Sequence, residues 1–332
     1  MNEEQAKLIS KKVIPYPDQT QLSIALIKNG EVNFLGIKKE KNAIVNLQNH
    51  TSVFEIGSIS KVFTSTILAK FVLDERIELD DKINDYLDFS LRKGARLSFK
   101  ELSNHTSGLP SIPLSIVLST KVNPYKFFNE AKLKEYLTKK MKLSRKRGKK
   151  YKYSNLGGGL LGYVLCHIAK TGYKDLLTDS ILTKYNMTDT TICRSEVSDK
   201  LIKGLNNKGR VVSNWDYTAL VGAGGILSTV EDMSKFAVAQ FDASNAELEL
   251  TRRKTFTINK ETGMGLGWHI LTINNSHTWY FHNGGTGGYR STMVIDTEKK
   301  NGVIILSNVS AFHKKARFID HICYKLMETL NE

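Results

Sequence analysis

Ser58 and Lys61 stand three positions apart at the start of FEIGSISKVFTSTILAKFVL, residues 54–73. Apolar residues follow at Val62, Phe63, Ile67, Leu68, Phe71 and Val72, a helical spacing that predicts an amphipathic helix. At 3.6 residues per turn, Ser58 and Lys61 lie one above the other. A hydroxyl beside an amine has two readings: a helix cap with a surface lysine, or a nucleophile with its base. Two other stretches bear on the choice. YKYSNLGGGLLG sets Tyr153 and Asn155 directly before a helix, and FHNGGTGGYR places four glycines between His282 and Tyr289, where one strand ends and the next begins. Glycine has no Cβ, so such a loop lets backbone N–H groups come close to a bound oxygen. Acyl transfer from a serine needs a base, an oxyanion hole and a group that protonates the leaving atom. Lys61 and Tyr153 ordinarily titrate near ~10. Desolvation lowers a lysine and a nearby cation lowers a tyrosine, so each assists the other only if both stand close to Ser58.

These residues need a frame. MNEEQAKLISKKV reads as a charged amphipathic helix, and QLSIALIKNGEVNFLGIKK as two strands joined at Asn29-Gly30, a strong hairpin signal. From Asp80 to about residue 215, helical patterns and long loops prevail. TWYFHNGG, YRSTMVID and GVIILSN read as strands, the last after a turn at Lys299 to Asn301. An amphipathic helix follows from about Phe312 to Leu330. The expected fold class is α+β: a mainly antiparallel sheet built from both ends of the chain, flanked by terminal helices, with a mostly helical region inserted. Residues 1–79 and 216–332 would form the sheet domain and 80–215 the helical one, with the active site between them.

The three motifs together resemble those of the penicillin-recognising serine enzymes: Ser58-x-x-Lys61, Tyr153-x-Asn155 and His282-x-Gly284-x-Thr286-Gly287-Gly288. A tyrosine in the second motif is similar to the class C β-lactamases and their DD-peptidase and esterase relatives. LSNHTSGLP (102–110) and VGAGGILSTVEDMSKFA (221–237) resemble loop signatures of the same family, so the likeness spans roughly residues 20–310. It implies a β-lactamase/transpeptidase-like fold and a serine hydrolase working without metal or cofactor through an acyl-Ser58 intermediate. Under it, Lys61 helps activate Ser58, while Tyr153 passes the proton to the leaving group and later activates water. Asn155 binds the substrate amide and holds Lys61, and the N–H groups of Ser58 and Gly285 form the oxyanion hole. His282, Asn283, Gly284, Gly285 and Thr286 line the substrate site. The implied substrate is a β-lactam, a D-alanyl peptide or a small acyl ester; a penicillin-binding protein without turnover is the remaining alternative.

One departure is informative. Class C enzymes usually carry Lys-Thr-Gly in the third box, where this chain has His282-Asn283-Gly284. Histidine is mostly neutral above ~6.5. Carboxylate recognition is therefore expected to be weaker, or to fall to Arg290, which offers a two-pronged donor. Lys170-Thr171-Gly172 is a decoy, since it ends a helix at a C′ glycine. GGGLLG formally matches a dinucleotide-binding pattern but lacks the strand that must precede it, and helix packing explains its glycines better. No GxSxG elbow occurs, which removes the α/β-hydrolase reading. His105 reads as a loop organiser, and His282 as a substrate contact or a hydrogen-bonded structural residue.

The 332 residues carry 48 Lys+Arg against 33 Asp+Glu, a net charge of +15. Residues 132–153 hold eleven basic side chains and one acid, Glu135. The stretch reads first as a solvated helix with Leu133, Tyr136, Leu137 and Met141 turned inward. It also suits an anionic cell-wall polymer, through Lys132 to Lys152. No nucleic-acid motif accompanies it, and no nucleic acid is expected. No apolar run reaches the ~18–20 residues of a membrane span. The start lacks the apolar stretch of a signal peptide. The protein either stays in the cytoplasm or is exported with its signal removed, and the basic surface and family habit favour export. Three cysteines and eight histidines form no metal-like spacing.

Overall fold

A computed structural model describes residues 3–41, 43–114, 116, 122–274 and 277–330. Met1 and Asn2, the first residues of the expected N-terminal helix, lie outside them. Helix α1 (Glu3–Val13) leads into the hairpin of β1 (Gln21–Lys28) and β2 (Glu31–Glu40). Asn29 and Gly30 both adopt positive φ, 53° and 86°, the backbone that a two-residue turn needs to follow strand twist. β3 (Ala43–Leu47) and the short β4 (Val53–Glu55) precede α2 (Ser60–Leu73).

The middle of the chain holds α3 (Phe99–Ser103), α4 (Glu130–Glu135), α5 (Asn155–Ala169) and α6 (Tyr173–Leu177) among turns and loops. β5 (Leu227–Thr229), α7 (Val230–Ala239) and α8 (Ala246–Arg252) follow. Then come β6 (Phe256–Thr257), β7 (Thr262–Met264), β8 (His269–Ile273), β9 (His277–Gly285), β10 (Arg290–Asp296), β11 (Asn301–Ser307) and α9 (Arg317–Leu330). α9 starts later than expected because residues after Val309 turn: Ser310 Oγ accepts from Phe312 N–H at 3.1 Å, and Ser310 O accepts from His313 N–H at 3.0 Å.

Nine strands form one antiparallel sheet in the order β3-β2-β1-β11-β10-β9-β8-β7-β6. Pairing of β1 with β11 joins the two ends of the chain, Leu22 opposite Ser307 and Ile27 opposite Gly302. The architecture is the mixed α+β arrangement expected. On one face, Ile9 and Val13 of α1 and Ile322 and Leu326 of α9 pack on Leu22, Ile24 and Val303. On the other, α2 packs Val62, Phe63, Ile67 and Phe71 into a core shared with Ala25, Ile27, Met293 and Ile304. Each such side chain contributes roughly 1.5–3 kcal/mol of burial.

α2 departs from the sequence reading: it is buried almost all round, not amphipathic. Its polar residues are short hydroxyls that find partners inside. Thr64 Oγ1 donates to the Gly222 carbonyl at 2.8 Å, Thr66 Oγ1 to the Val62 carbonyl at 3.0 Å, and Ser65 Oγ lies 2.7 Å from Ser103 Oγ. The basic stretch begins at α4, capped by Asn129 Oδ1 on the Lys132 N–H at 3.1 Å. Leu133, Leu137 and Met141 are buried and Tyr136 is partly so. Lys134, Lys140 and Arg147 pair with Asp88, Glu135 and Glu101.

Candidate active site

The turn bearing Ser58 is wedged against the end of β9. Gly57 has φ +51°, and a Cβ there would stand 2.5 Å from the Gly285 nitrogen; a Cβ on Gly284 would stand 2.0 Å from the Ile56 carbonyl oxygen. Only glycine allows this approach at either position. Ser291 Oγ of β10 donates to the same Ile56 carbonyl at 2.6 Å and fixes the turn.

Register then orients the third box. The Thr286 N–H donates to the Tyr289 carbonyl at 3.0 Å, closing the hairpin, and Gly284 stands opposite Ser291. Antiparallel pairs alternate between bonded and non-bonded. Gly284 therefore bonds to β10, while the Gly285 N–H points off the free edge of β9, toward Gly57 and Ser58. β8 ends its pairing at His269 opposite Phe281, leaving that edge open.

Ser58 remains partly exposed, whereas Lys61 is 2% exposed. Lys61 Nζ lies 3.0 Å from Ser58 Oγ and donates to the Ala223 carbonyl at 2.5 Å. With no carboxylate paired to it among the described residues, burial pushes the amine well below its ordinary range. Tyr153 lies beside Ser58, whose hydroxyl opposes the upward drive on the phenol, and its ring centre is 5.0 Å from Lys61 Nζ. Burial drives the Tyr153 phenol upward. The cation expected to oppose this is weakened, because burial pushes Lys61 toward its neutral form, and among cations only the more distant Arg290 pulls the phenol down. Ser154 positions Tyr153 by capping α5: its Oγ accepts from the Gly157 N–H at 2.9 Å and donates to the Pro110 carbonyl at 2.6 Å. His105 organises this loop, its Nδ1 accepting from the Ser154 N–H at 3.3 Å and its ring 4.4 Å from that of Tyr153.

Asn155 lies at the first turn of α5, where its Nδ2 donates to the Tyr125 hydroxyl at 3.1 Å. The Ala223 carbonyl, not Asn155, is the second partner of Lys61. His282 faces the serine side of the sheet, 1% exposed, with its ring centre 6.4 Å from that of Tyr153 and 5.6 Å from that of His269. Its Nδ1 donates to the Asn283 carbonyl at 2.7 Å, which leaves Nε2 as an acceptor. Burial holds His282 well below the usual imidazole range, so it brings no positive charge.

Alternation along the strands carries Asn283 and Arg290 to the other face. There the Arg290 guanidinium pairs with Asp320 of α9, and Asn283 Nδ2 donates to the same carboxylate at 3.3 Å. The structure thus does not bring Arg290 or Asn283 to Ser58. Thr286 lies in the hairpin loop, buried and turned toward Glu55.

A match over residues 12–321 to the family model described as Beta-lactamase fits this geometry. The chain belongs to the β-lactamase family. Protein flp of Staphylococcus aureus is 22% identical over 325 residues, covering 90% of this chain and 61% of that protein. The chain spans about three fifths of the length of that curated relative. The D-alanyl-D-alanine-carboxypeptidase/endopeptidase AmpH of Escherichia coli is 25% identical over 283 residues, 77% of this chain and 70% of AmpH. The octameric penicillin-binding protein homologue from Pyrococcus abyssi shares the fold, at a TM-score of 0.78 and 23% identity over 98% of this chain and 76% of that one.

Within this family fold, several neighbours of the serine had no sequence signal. Ala223 acts through its backbone, so its side chain carries no trace of the role. Tyr125, Trp215 and Tyr217 form an aromatic wall, with Tyr125 4.4 Å from Tyr217 and 5.6 Å from Trp215 between ring centres. His269, held down to about 4 by burial, lies 3.0 Å from the Tyr151 hydroxyl. Among the described residues, no group of three or more His, Cys, Asp or Glu side chains is arranged to hold a metal ion, and no helix is long and apolar enough to cross a membrane.

Proposed function

We propose that this protein is a serine acyl hydrolase that cleaves an amide or ester through an acyl-Ser58 intermediate. The observation that carries the reading is the buried Lys61 amine, pushed down by desolvation, 3.0 Å from a partly exposed Ser58 hydroxyl. A lowered lysine spends more of its time with a free lone pair for the serine proton than an ordinary lysine does. Ser58 Oγ attacks the substrate carbonyl as its proton passes to Lys61. The resulting oxyanion is taken by the N–H groups of Ser58 and Gly285. Tyr153, still a phenol, gives its proton to the leaving nitrogen or oxygen, and the proton held on Lys61 replaces it. Water then attacks the acyl-enzyme by the reverse order of proton transfers.

Substrate class follows from charge. His282 is neutral, Lys61 is pushed toward its neutral form and Arg290 is engaged on the opposite face, so among the described residues the third box itself turns no cation toward the serine. This supports uncharged acyl esters or amides ahead of substrates that need a carboxylate anchor. Likeness to AmpH supports D-alanyl peptides as the second reading.

Intact mass followed over time with p-nitrophenyl acetate and, separately, benzylpenicillin tests the proposal, with Ser58→Ala as control. Ester turnover and any penicilloyl adduct are expected on the wild type alone. A lasting adduct favours the penicillin-binding reading, and drug consumption without accumulation favours a β-lactamase. Turnover or labelling that survives in Ser58→Ala overturns the mechanism.

A further inference from the structure

Glu55 lies three residues before the serine, 4% exposed, and no step above uses it. Its Oε1 accepts from Asn214 Nδ2 at 2.7 Å and from the Trp215 N–H at 2.9 Å. Its Oε2 is buried on the side of Thr286, and neither Oε2 nor the Thr286 hydroxyl has a hydrogen-bond partner among the described residues. Asn214 Nδ2 also donates to the Tyr289 hydroxyl at 2.9 Å, which in turn donates to the Ile202 carbonyl at 2.6 Å. The held segment carries Trp215, whose indole nitrogen would stand 2.8 Å from a Cβ on Gly287 of the third-box loop. One carboxylate thus ties the serine turn to the 214–217 loop, and that loop in turn reaches the one after Gly285 through Asn214 on Tyr289 and Trp215 against Gly287.

We infer that Glu55 is a positioning residue whose carboxylate fixes the oxyanion-side loop and the Trp215 wall relative to Ser58, so that protonating it loosens both. As an anion it accepts from both donors on Oε1 with full charge; once protonated on Oε2 it loses the charge that strengthens those two bonds and gains a donor with no acceptor yet in place. The inference deepens the proposed hydrolase and rests on it for its kinetic consequence alone. Burial pushes the Glu55 carboxyl up to about 7, which brings the change into the neutral range. The charged and titratable groups facing it are few. Arg194 favours the anion but is shared with Asp216 at 2.9 Å, and the Tyr217 and Tyr289 phenols are both held protonated by burial. A cavity of about 90 Å³ lined by Glu55, Arg194, Asn214, Asp216 and Tyr217 has room for water and gives the proton a route.

The test reads Trp215 first and catalysis second. Tryptophan fluorescence titrated from pH 5 to 9 is expected to show a transition near pH 7 in the wild type. The transition is expected to be absent in Glu55→Gln and in Trp215→Phe. A flat wild-type trace, or one unchanged in Glu55→Gln, overturns the inference whether or not the protein turns over any substrate. The p-nitrophenyl acetate profile is then compared, provided Ser58→Ala is inactive. Glu55→Gln is expected to lower kcat/KM about tenfold above pH 7, the scale of one lost charge-assisted hydrogen bond, and to lose one ionisation near neutrality. A Glu55→Gln profile that keeps the wild-type ionisation and rate also overturns it. A thermal unfolding midpoint near that of the wild type keeps a misfolded variant from imitating the effect.

Discussion

Gly284 and the Ile56 carbonyl approach so closely that a single added carbon on Gly284 would lie 2.0 Å from that oxygen. The contact sets the height of the Ser58 turn over the edge of β9. Gly284→Ala must push the turn away from the Gly285 N–H. Overpacking of this kind costs about 1–3 kcal/mol, and loss of one oxyanion donor costs ~10²–10³ in rate. Thermal unfolding and acylation rate measured together are expected to show a modest drop in the first and a large one in the second. An unimpaired acylation rate would remove Gly285 from the oxyanion hole.

Lys61 sets activity against stability. Its folded pKa is depressed below 10.5, so between those two values the unfolded chain binds the extra proton. Stability is therefore present above the unfolded value and is lost as pH falls through the window toward the folded one. Lys61→Met, which has no proton to bind, is expected to unfold at a higher temperature than the wild type at pH 7 while losing ~10²–10⁴ in acylation rate. In the wild type, acylation should rise with pH at a midpoint well below 10.5. A variant both less stable and still active would argue that Lys61 is charged in the folded protein.

The Arg290–Asp320 pair joins the back of the catalytic sheet to α9, with side chains 15% and 12% exposed. Removing one partner strands the other charge, at a cost of about 3–5 kcal/mol. Arg290→Ala is expected to lower the unfolding midpoint while leaving the ratio of benzylpenicillin acylation to p-nitrophenyl acetate turnover unchanged. A selective fall for the penicillin would return Arg290 to the substrate site.

Arg145, Lys146, Lys149 and Lys150 lie in the basic loop after α4. Replacing all four by glutamine is expected to leave turnover of p-nitrophenyl acetate and the unfolding midpoint unaltered. Retention of the variant on an anionic resin should fall and elute at lower salt. Loss of small-ester turnover would mean that the stretch shapes the site and is not merely a solvated face.

The grouping of Ser58, Lys61 and Tyr153 was legible because residue types and spacing are constrained before any fold is known. Ser58 and Lys61 share a helical face, and Tyr153 stands directly before a helix whose cap, Ser154, the structure supplied. The long strands around Asn29-Gly30 and Tyr289 were legible for the same reason. β4 to β7 have only two or three residues each, too few for alternation to register. Arg290 was misassigned because its face depends on hairpin register, which the Thr286–Tyr289 bond sets and composition does not. α2 looked amphipathic because Thr64, Ser65 and Thr66 count as polar, although each is satisfied within the core. Ala223 contributes a carbonyl, which every residue possesses, so nothing in its identity marks it.

The bond from Ser291 Oγ to the Ile56 carbonyl spans 235 positions of chain. During translation, at ~5–20 residues per second, the nucleophile's turn leaves the ribosome roughly ten to fifty seconds before the strand that braces it. Until β10 and β11 emerge and close against β1, the serine has neither its strand support nor the Gly285 N–H beside it. Under the proposed mechanism a nascent chain is therefore chemically silent, and acyl transfer switches on only after β10 and β11 have emerged and the sheet has closed.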